Sequence, residues 1–192
     1  MTFRVAVLCE DHTNDQYILR PLVREALAHL GKPDARITVV SNPRIRGFDS
    51  LLAHACDVIE RYMKLVDLIL VCYDLDGQDG SAGRTDKHAR VKNALNNCPS
   101  ANAVTIGAEQ EIEVWALWGS RTQLPPWAEV RAEAHAKERY FDPLITSRDS
   151  IRVDGGRTRL MESSLAAGIT SLVQGCPELG ELLTWIRDVV ER

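Results

Sequence analysis

The sequence lacks the patterns that mark membrane and secreted proteins. The apolar run near its N-terminus is about six residues long, too short for a signal peptide or for the roughly 20 residues of a membrane span. None of the five cysteines lies in a Cys-x-x-Cys pair, which disfavours a disulfide scaffold and favours a reducing compartment. We therefore expect a cytoplasmic protein that makes no membrane contact.

Several cofactor motifs are also missing. The five histidines show no His-x-x-x-His or similar spacing, so a zinc site is unsupported. Gly77, Gly80 and Gly83 do not form a dinucleotide fingerprint, and no Gly-Lys-Ser/Thr follows them, so we interpret this stretch as a loop. The net charge of -4 argues against nucleic-acid binding through bulk charge and leaves local basic contacts for that role.

What the sequence does contain is an alternation of strand-like and helix-like segments in its first half. The predicted strands are 3–9, 37–40, 66–74 and 103–106. The helices between them show apolar stripes over 18–30 and 48–62 and a basic run over 84–92. This order predicts an α/β fold, a three-layer Rossmann-like sandwich with a mainly parallel four-stranded sheet in the order 2-1-3-4.

Shorter signals refine this outline. Thr13 and Gln16 match a capping box, which predicts Thr13 as the first helix's N-cap, and Pro21 predicts an interruption and a kink. We expect residues 1–120 to form the core and residues 121–192 a helical C-terminal extension packed on it within one structural domain. The apolar stripe over 165–173 predicts one helix of that extension, and another begins behind Pro177.

The most informative stretch is the third strand and its end, Asp74-Leu75-Asp76-Gly77. In an extended segment Asp74 and Asp76 point the same way. Strands one and three are neighbours in the order 2-1-3-4, so Glu10, at the end of strand one, would converge with both aspartates. Crowded carboxylates require a retained proton or a cation, and oxygen ligands suit Mg²⁺. The competing interpretation is a solvated acidic turn.

A second acidic cluster, Glu109-Gln110-Glu111-Ile112-Glu113, follows strand four. If it is extended, its three glutamates share a face. If it is helical, Glu109 and Glu113 pair at i, i+4 instead. An acidic first turn of a helix is the ordinary explanation. Its position at the carboxyl end of another strand favours a site.

These motifs together resemble the topoisomerase-primase (Toprim) domain, whose pattern is a glutamate after strand one and an Asp-x-Asp after strand three. The sequence is most similar to small stand-alone bacterial Toprim-like proteins. The further motifs that carry this likeness are Leu19-Arg20-Pro21-Leu22, Glu111-Ile112-Glu113-Val114-Trp115 and Cys176-Pro177-Glu178-Leu179.

The resemblance implies divalent-metal phosphoryl chemistry on nucleic acid, as in the nuclease branch of overcoming-lysogenization-defect type, with phage defence as one setting. The implied site residues are Glu10, Asp74 and Asp76 for one Mg²⁺ or Mn²⁺, and Glu111 with Glu113 for a second. Those nucleases also use a lysine near the site. Lys137 and Lys87 are the candidates, and we take Lys137 as the catalytic one.

Two other resemblances give alternative functions. The stretch from Val7 to Asp11, with the third strand, resembles a response-regulator receiver, although Cys72 occupies the phosphoacceptor position. That likeness implies a non-catalytic module that docks a partner such as an ATPase or a second copy. The Asp74-Leu75-Asp76-Gly77 motif also resembles the nucleophile motif of haloacid dehalogenase-type phosphatases, which implies a phosphatase.

Overall fold

The structure, a computed structural model, contains a four-stranded parallel sheet in the order β2-β1-β3-β4. It describes residues 2–75, 80–96, 98 and 102–192, with the backbone alone at 80–82, 84 and 85. The strands are β1 (Arg4–Leu8), β2 (Arg36–Val39), β3 (Leu68–Asp74) and β4 (Ala103–Ala108). The predicted α/β class and strand order are confirmed, and every strand pair in this sheet is parallel.

Three long helices cover the two faces of this sheet. They are α1 (His12–His29), α2 (Phe48–Tyr62) and α3 (Gly80–Asn96). Leu70 and Cys72 of β3 face the cluster that contains the apolar stripe of α1, whereas Val71 and Tyr73 face the cluster that contains α2. Burial on both faces explains why β3 is a continuous apolar run rather than an alternating one.

The chain after β4 forms six further helices within the described residues. They are α4 (Glu113–Leu117), α5 (Trp127–Ala132), α6 (Ser147–Ser150), α7 (Arg157–Leu165), α8 (Ile169–Gly175) and α9 (Glu178–Val190). Two 3₁₀ segments, Trp118–Gln123 and Asp142–Leu144, and a π-helical turn, Lys137–Phe141, lie between them. No helix in the described part of the chain combines the length and the apolar character needed to cross a membrane.

The C-terminal helices share one core with the sheet. Trp115 and Phe141 are fully buried in the same cluster as the β1 and β3 side chains facing α1. At Gly119 the chain passes so close to α7 that an added Cβ would come within 2.5 Å of Ser163. The Gly119 N–H donates to Ser164 Oγ at 2.9 Å, so this glycine allows a close approach of two backbones.

Several local predictions were wrong. Asp11, not Thr13, caps α1: its side chain accepts a hydrogen bond from the Thr13 N–H at 2.9 Å. Aspartate caps a helix at least as well as threonine. The Asp11 N–H in turn donates to Asp15 Oδ2 at 2.9 Å. The helix is also not interrupted at Pro21 but continues through it, while the kink predicted there stays a prediction.

Three further differences concern glycines and cysteines. Gly168, with φ +81°, separates α7 from α8, where one helix was predicted. The helix α3 begins at Gly80, so the second half of the predicted glycine loop is helical, and residues 76–79 lie outside the described residues. Cys56 and Cys98 form a disulfide, which the cysteine pattern did not indicate because 42 positions separate them.

Candidate functional site

The ends of β1 and β3 meet at the carboxyl edge of the sheet. Because the strands are neighbours, Glu10 lies beside Asp74, and the Asp74 N–H donates to Glu10 Oε1 at 2.9 Å. The Asp74 carboxyl accepts a bond from the Ile112 N–H at 2.8 Å, which ties it to the loop after β4. The structure thus brings three strand ends together, while Asp76 lies outside the described residues.

This part of the site concentrates negative charge. Burial, with the neighbouring carboxylates of Glu10, Asp15 and Glu113, raises the pKa of Asp74 well above its usual value, although the Ile112 N–H opposes the shift. Burial and the carboxylates of Glu113, Asp11 and Glu10 also raise the pKa of Asp15 to about 7, against the bond from the Asp11 N–H. Such carboxyl groups retain protons unless positive charge is supplied.

The second acidic cluster is shaped by its backbone. Gln110 is buried and has φ +66°, a left-handed conformation that non-glycine residues seldom adopt. Glu109 lies before this bend and pairs with Arg131, which also contacts Glu178 at 2.8 Å. The cluster is therefore neither a strand nor one helical face, and Glu109 belongs to a separate ion pair.

Glu111 and Glu113 lie after the bend and meet groups from the C-terminal helices. The Lys137 N–H donates to Glu111 Oε2 at 2.9 Å. Glu113 is 4% exposed, and its Oε1 lies 3.3 Å from both Lys137 Nζ and an Arg157 guanidinium nitrogen. Two protein cations therefore neutralise the buried Glu113 carboxylate.

Both candidate lysines lie at the edge of the sheet. Lys87, on α3, donates to the backbone oxygen of Asp74 at 3.1 Å. Lys137 lies in the π-helical turn, a rare form that is frequent at functional sites. Burial lowers the pKa of Lys137, but the Glu113 carboxylate outweighs this effect and raises it, so Lys137 remains charged.

Arg157 and Asp15 were absent from the sequence-based site. Arg157 is 44 positions from Glu113, a separation that no local motif can signal. Asp15 lies between Thr13 and Gln16, the two residues of the predicted capping box, and the box assigns it no role. Its spacing was the available signal, because Asp15 lies three and four positions before Ile18 and Leu19 and so falls on the buried face of α1.

The donor chemistry of the edge fits a hard divalent cation, since carboxylate oxygens are the ligands that Mg²⁺ prefers. Within the described residues no three His, Cys, Asp or Glu side chains are grouped to hold a metal ion. Glu10 and Asp74 supply two adjacent carboxylates. A complete set of metal ligands at the ends of β1 and β3 would need Asp76, which lies outside the described residues.

Comparisons with protein-family models, with curated proteins and with solved structures each found no match.

Proposed function

We propose that the chain is a divalent-metal-dependent nuclease, or a related phosphodiesterase, of Toprim type that acts on nucleic acid. The observation that carries this proposal is the setting of Asp74 at a strand end. Its partly buried carboxyl group accepts from the Ile112 N–H, and burial together with the carboxylates of Glu10, Asp15 and Glu113 raises its pKa. A divalent cation stabilises such a group of carboxylates in their ionised form. Glu10, Asp74 and Asp76 would hold one such ion, and Glu111 with Glu113 would help to hold a second.

When bound, Mg²⁺ would supply Lewis-acid chemistry, drawing charge from the phosphodiester oxygens and acidifying water. The chain's own contribution is orientation. Backbone N–H groups hold three carboxylates in place: that of Asp74 holds Glu10, that of Ile112 holds Asp74, and that of Lys137 holds Glu111. Carboxylates fixed in this way need little rearrangement during the reaction.

Positive charge for the substrate is provided beside these carboxylates. Lys137 Nζ and the Arg157 guanidinium lie on Glu113, where they would bind phosphate oxygens as the reaction develops charge. Glu10 also lines a cleft of 380 Å³ together with Arg44 and Arg46, both exposed. Cations near an acidic centre suit the binding of a phosphodiester backbone there.

One specific observation favours the second candidate, a non-catalytic module that docks a partner such as an ATPase. Glu113 is already neutralised by Lys137 and Arg157, so that half of the site is stable without a metal ion. The phosphatase alternative has less support. It needs the Asp74 carboxylate as a nucleophile, whereas that group accepts a hydrogen bond from the Ile112 N–H at 2.8 Å, which suits a fixed ligand better.

The test is cleavage of plasmid, single-stranded DNA and RNA in Mg²⁺ or Mn²⁺ by the wild type, by Asp74→Asn and by a control, Asp57→Asn, at an exposed position of α2. The proposal expects metal-dependent cleavage that Asp74→Asn loses and Asp57→Asn keeps. Cleavage that survives Asp74→Asn would contradict the site. Absence of cleavage, with no Mn²⁺ binding in calorimetry, would favour the docking module.

A further inference from the structure

The loop between α6 and α7 exposes apolar side chains to an unusual degree. Ile151 is 84% exposed and Val153 is 89% exposed, against 54% for Leu65 and 38% for Trp185, the other exposed large apolar residues in the described part of the chain. Single exposed apolar residues are ordinary. Two that are almost fully exposed, separated by a single residue at the tip of a loop, indicate a contact surface.

Hydrogen bonds hold both ends of this loop. At its start Thr146 and Asp149 form a capping box, and the buried Asp149 pairs with Arg159 at 2.7 Å. The Arg152 N–H then donates to the Asp149 carbonyl at 3.0 Å. At its end Asp154 accepts from the Thr158 N–H at 3.3 Å. The apolar tip is therefore presented by an ordered backbone, which lowers the entropic cost of a contact.

The same segment is locally basic. Residues 148–159 contain four arginines and two aspartates, in a chain whose net charge is -4. Asp149 is neutralised internally by Arg159. Arg148 and Arg152 are exposed beside the apolar tip, so this surface combines positive charge with apolar side chains.

The loop leads directly into the candidate site. It ends at Arg157, whose guanidinium lies 3.3 Å from Glu113. Gly155 and Gly156 immediately before it have φ +54° and +80°, and a Cβ on Gly156 would come within 2.9 Å of Asp149. Glycine is needed there for the chain to turn from the tip into α7.

We propose that residues 148–153 form a nucleic-acid-binding wedge, in which Arg148 and Arg152 contact phosphates while Ile151 and Val153 insert against the bases. Apolar wedges flanked by arginines are a common means of engaging nucleic acid. The identity of this partner rests on the proposed function. The loop would supply the local positive contacts that the net charge of the chain does not.

Binding is measured by fluorescence anisotropy with a labelled single-stranded oligonucleotide and a labelled duplex, in EDTA so that cleavage plays no part. The variants are Ile151→Ser/Val153→Ser and Arg148→Gln/Arg152→Gln. Matched controls are Leu65→Ser and Arg20→Gln/Arg24→Gln, at exposed positions elsewhere. Circular dichroism shows whether each variant is folded.

We expect the double substitution Arg148→Gln/Arg152→Gln to weaken binding about tenfold and to reduce the salt dependence of binding by about two phosphate contacts. The double substitution Ile151→Ser/Val153→Ser should weaken binding by a similar factor and leave the salt dependence unchanged. Both controls should stay within about twofold of the wild type. Wild-type protein that binds neither probe, or loop variants that bind as the wild type does, would overturn the proposal.

Two further outcomes separate this inference from the proposed function. Loop-dependent binding without cleavage in any metal would support the wedge and count against the nuclease. Metal-dependent cleavage with loop-independent binding would do the reverse. Loop-dependent sedimentation with phosphatidylserine vesicles, without oligonucleotide binding, would assign the tip to a lipid surface and overturn the proposal.

Discussion

The two halves of the acidic edge solve the same electrostatic problem in different ways. In the first half, at the ends of β1 and β3, the Asp74 carboxyl meets a backbone N–H, and the side chains that shift its pKa are all acidic. In the second half, after β4, Glu113 meets Lys137 and Arg157. The first half therefore gathers several carboxyl groups, with Lys87 Nζ on the backbone oxygen of Asp74, whereas in the second half two side-chain cations pair directly with the buried carboxylate.

This difference assigns separate roles to the two halves. A divalent cation should bind first at Glu10 and Asp74, where two acidic residues are adjacent. At Glu113 it must compete with two protein cations, so a second ion should bind more weakly. Those cations are in turn placed to contact a substrate phosphate beside the first ion.

The largest effect should come from breaking the first half. We expect Asp74→Asn to lower metal-dependent cleavage by about 10³-fold, since it removes a charged ligand without changing the shape of the side chain. In metal-free buffer the same variant should be at least as stable as the wild type, because a buried carboxyl group no longer requires neutralisation. Cleavage assays and urea unfolding measure the two effects. A marked loss of stability would indicate a structural role for Asp74 instead.

The lysines offer the next contrast. Lys137 contacts Glu113 at 3.3 Å, while Lys87 bonds the backbone oxygen of Asp74 at 3.1 Å. If Lys137 stabilises developing charge, Lys137→Gln should lower cleavage by about 10²-fold at saturating substrate, and Lys87→Gln by less than tenfold. Single-turnover rates for both variants make this comparison. Equal losses would show that the second half has no special part in catalysis.

Breaking the second half should cost folding stability. Arg157→Met leaves the Glu113 carboxylate paired with Lys137, and we expect the free energy of unfolding to fall by about 2 kcal/mol, the usual cost of losing a hydrogen bond to a charged group. Adding Glu113→Gln should restore about half of that loss, because the buried charge is gone. Urea unfolding of both single variants and the double variant gives the coupling energy. Strictly additive effects would mean that the pair does not interact.

Much of this arrangement follows from sequence patterns, and some of it cannot. The adjacency of Glu10 and Asp74 was predictable, because alternating strands and helices indicate a doubly wound sheet, and in its 2-1-3-4 order the ends of strands one and three meet. The pairing of Glu113 with Arg157 was not predictable, since Arg157 lies on a helix 44 positions away. That helix follows a loop whose glycines have positive φ. The direction of Glu111 depends on the left-handed backbone of Gln110, which no propensity indicates for glutamine.

The smallest effect tests the proton balance of the first half through Asp15, whose pKa is raised to about 7 by burial and by the carboxylates of Glu113, Asp11 and Glu10. The folded chain keeps a proton that the unfolded chain, with an ordinary aspartate pKa, releases. Stability from this group is therefore present at low pH and declines as the pH rises from about 4 to about 7. Asp15→Asn should remove that decline and stabilise the chain at pH 8 by on the order of 2 kcal/mol in metal-free buffer. Urea unfolding at pH 5 and pH 8 measures it, with Asp57→Asn as control. A variant that retained the wild-type pH dependence would show that Asp15 is ionised in the folded chain, and that positive charge already reaches the first half.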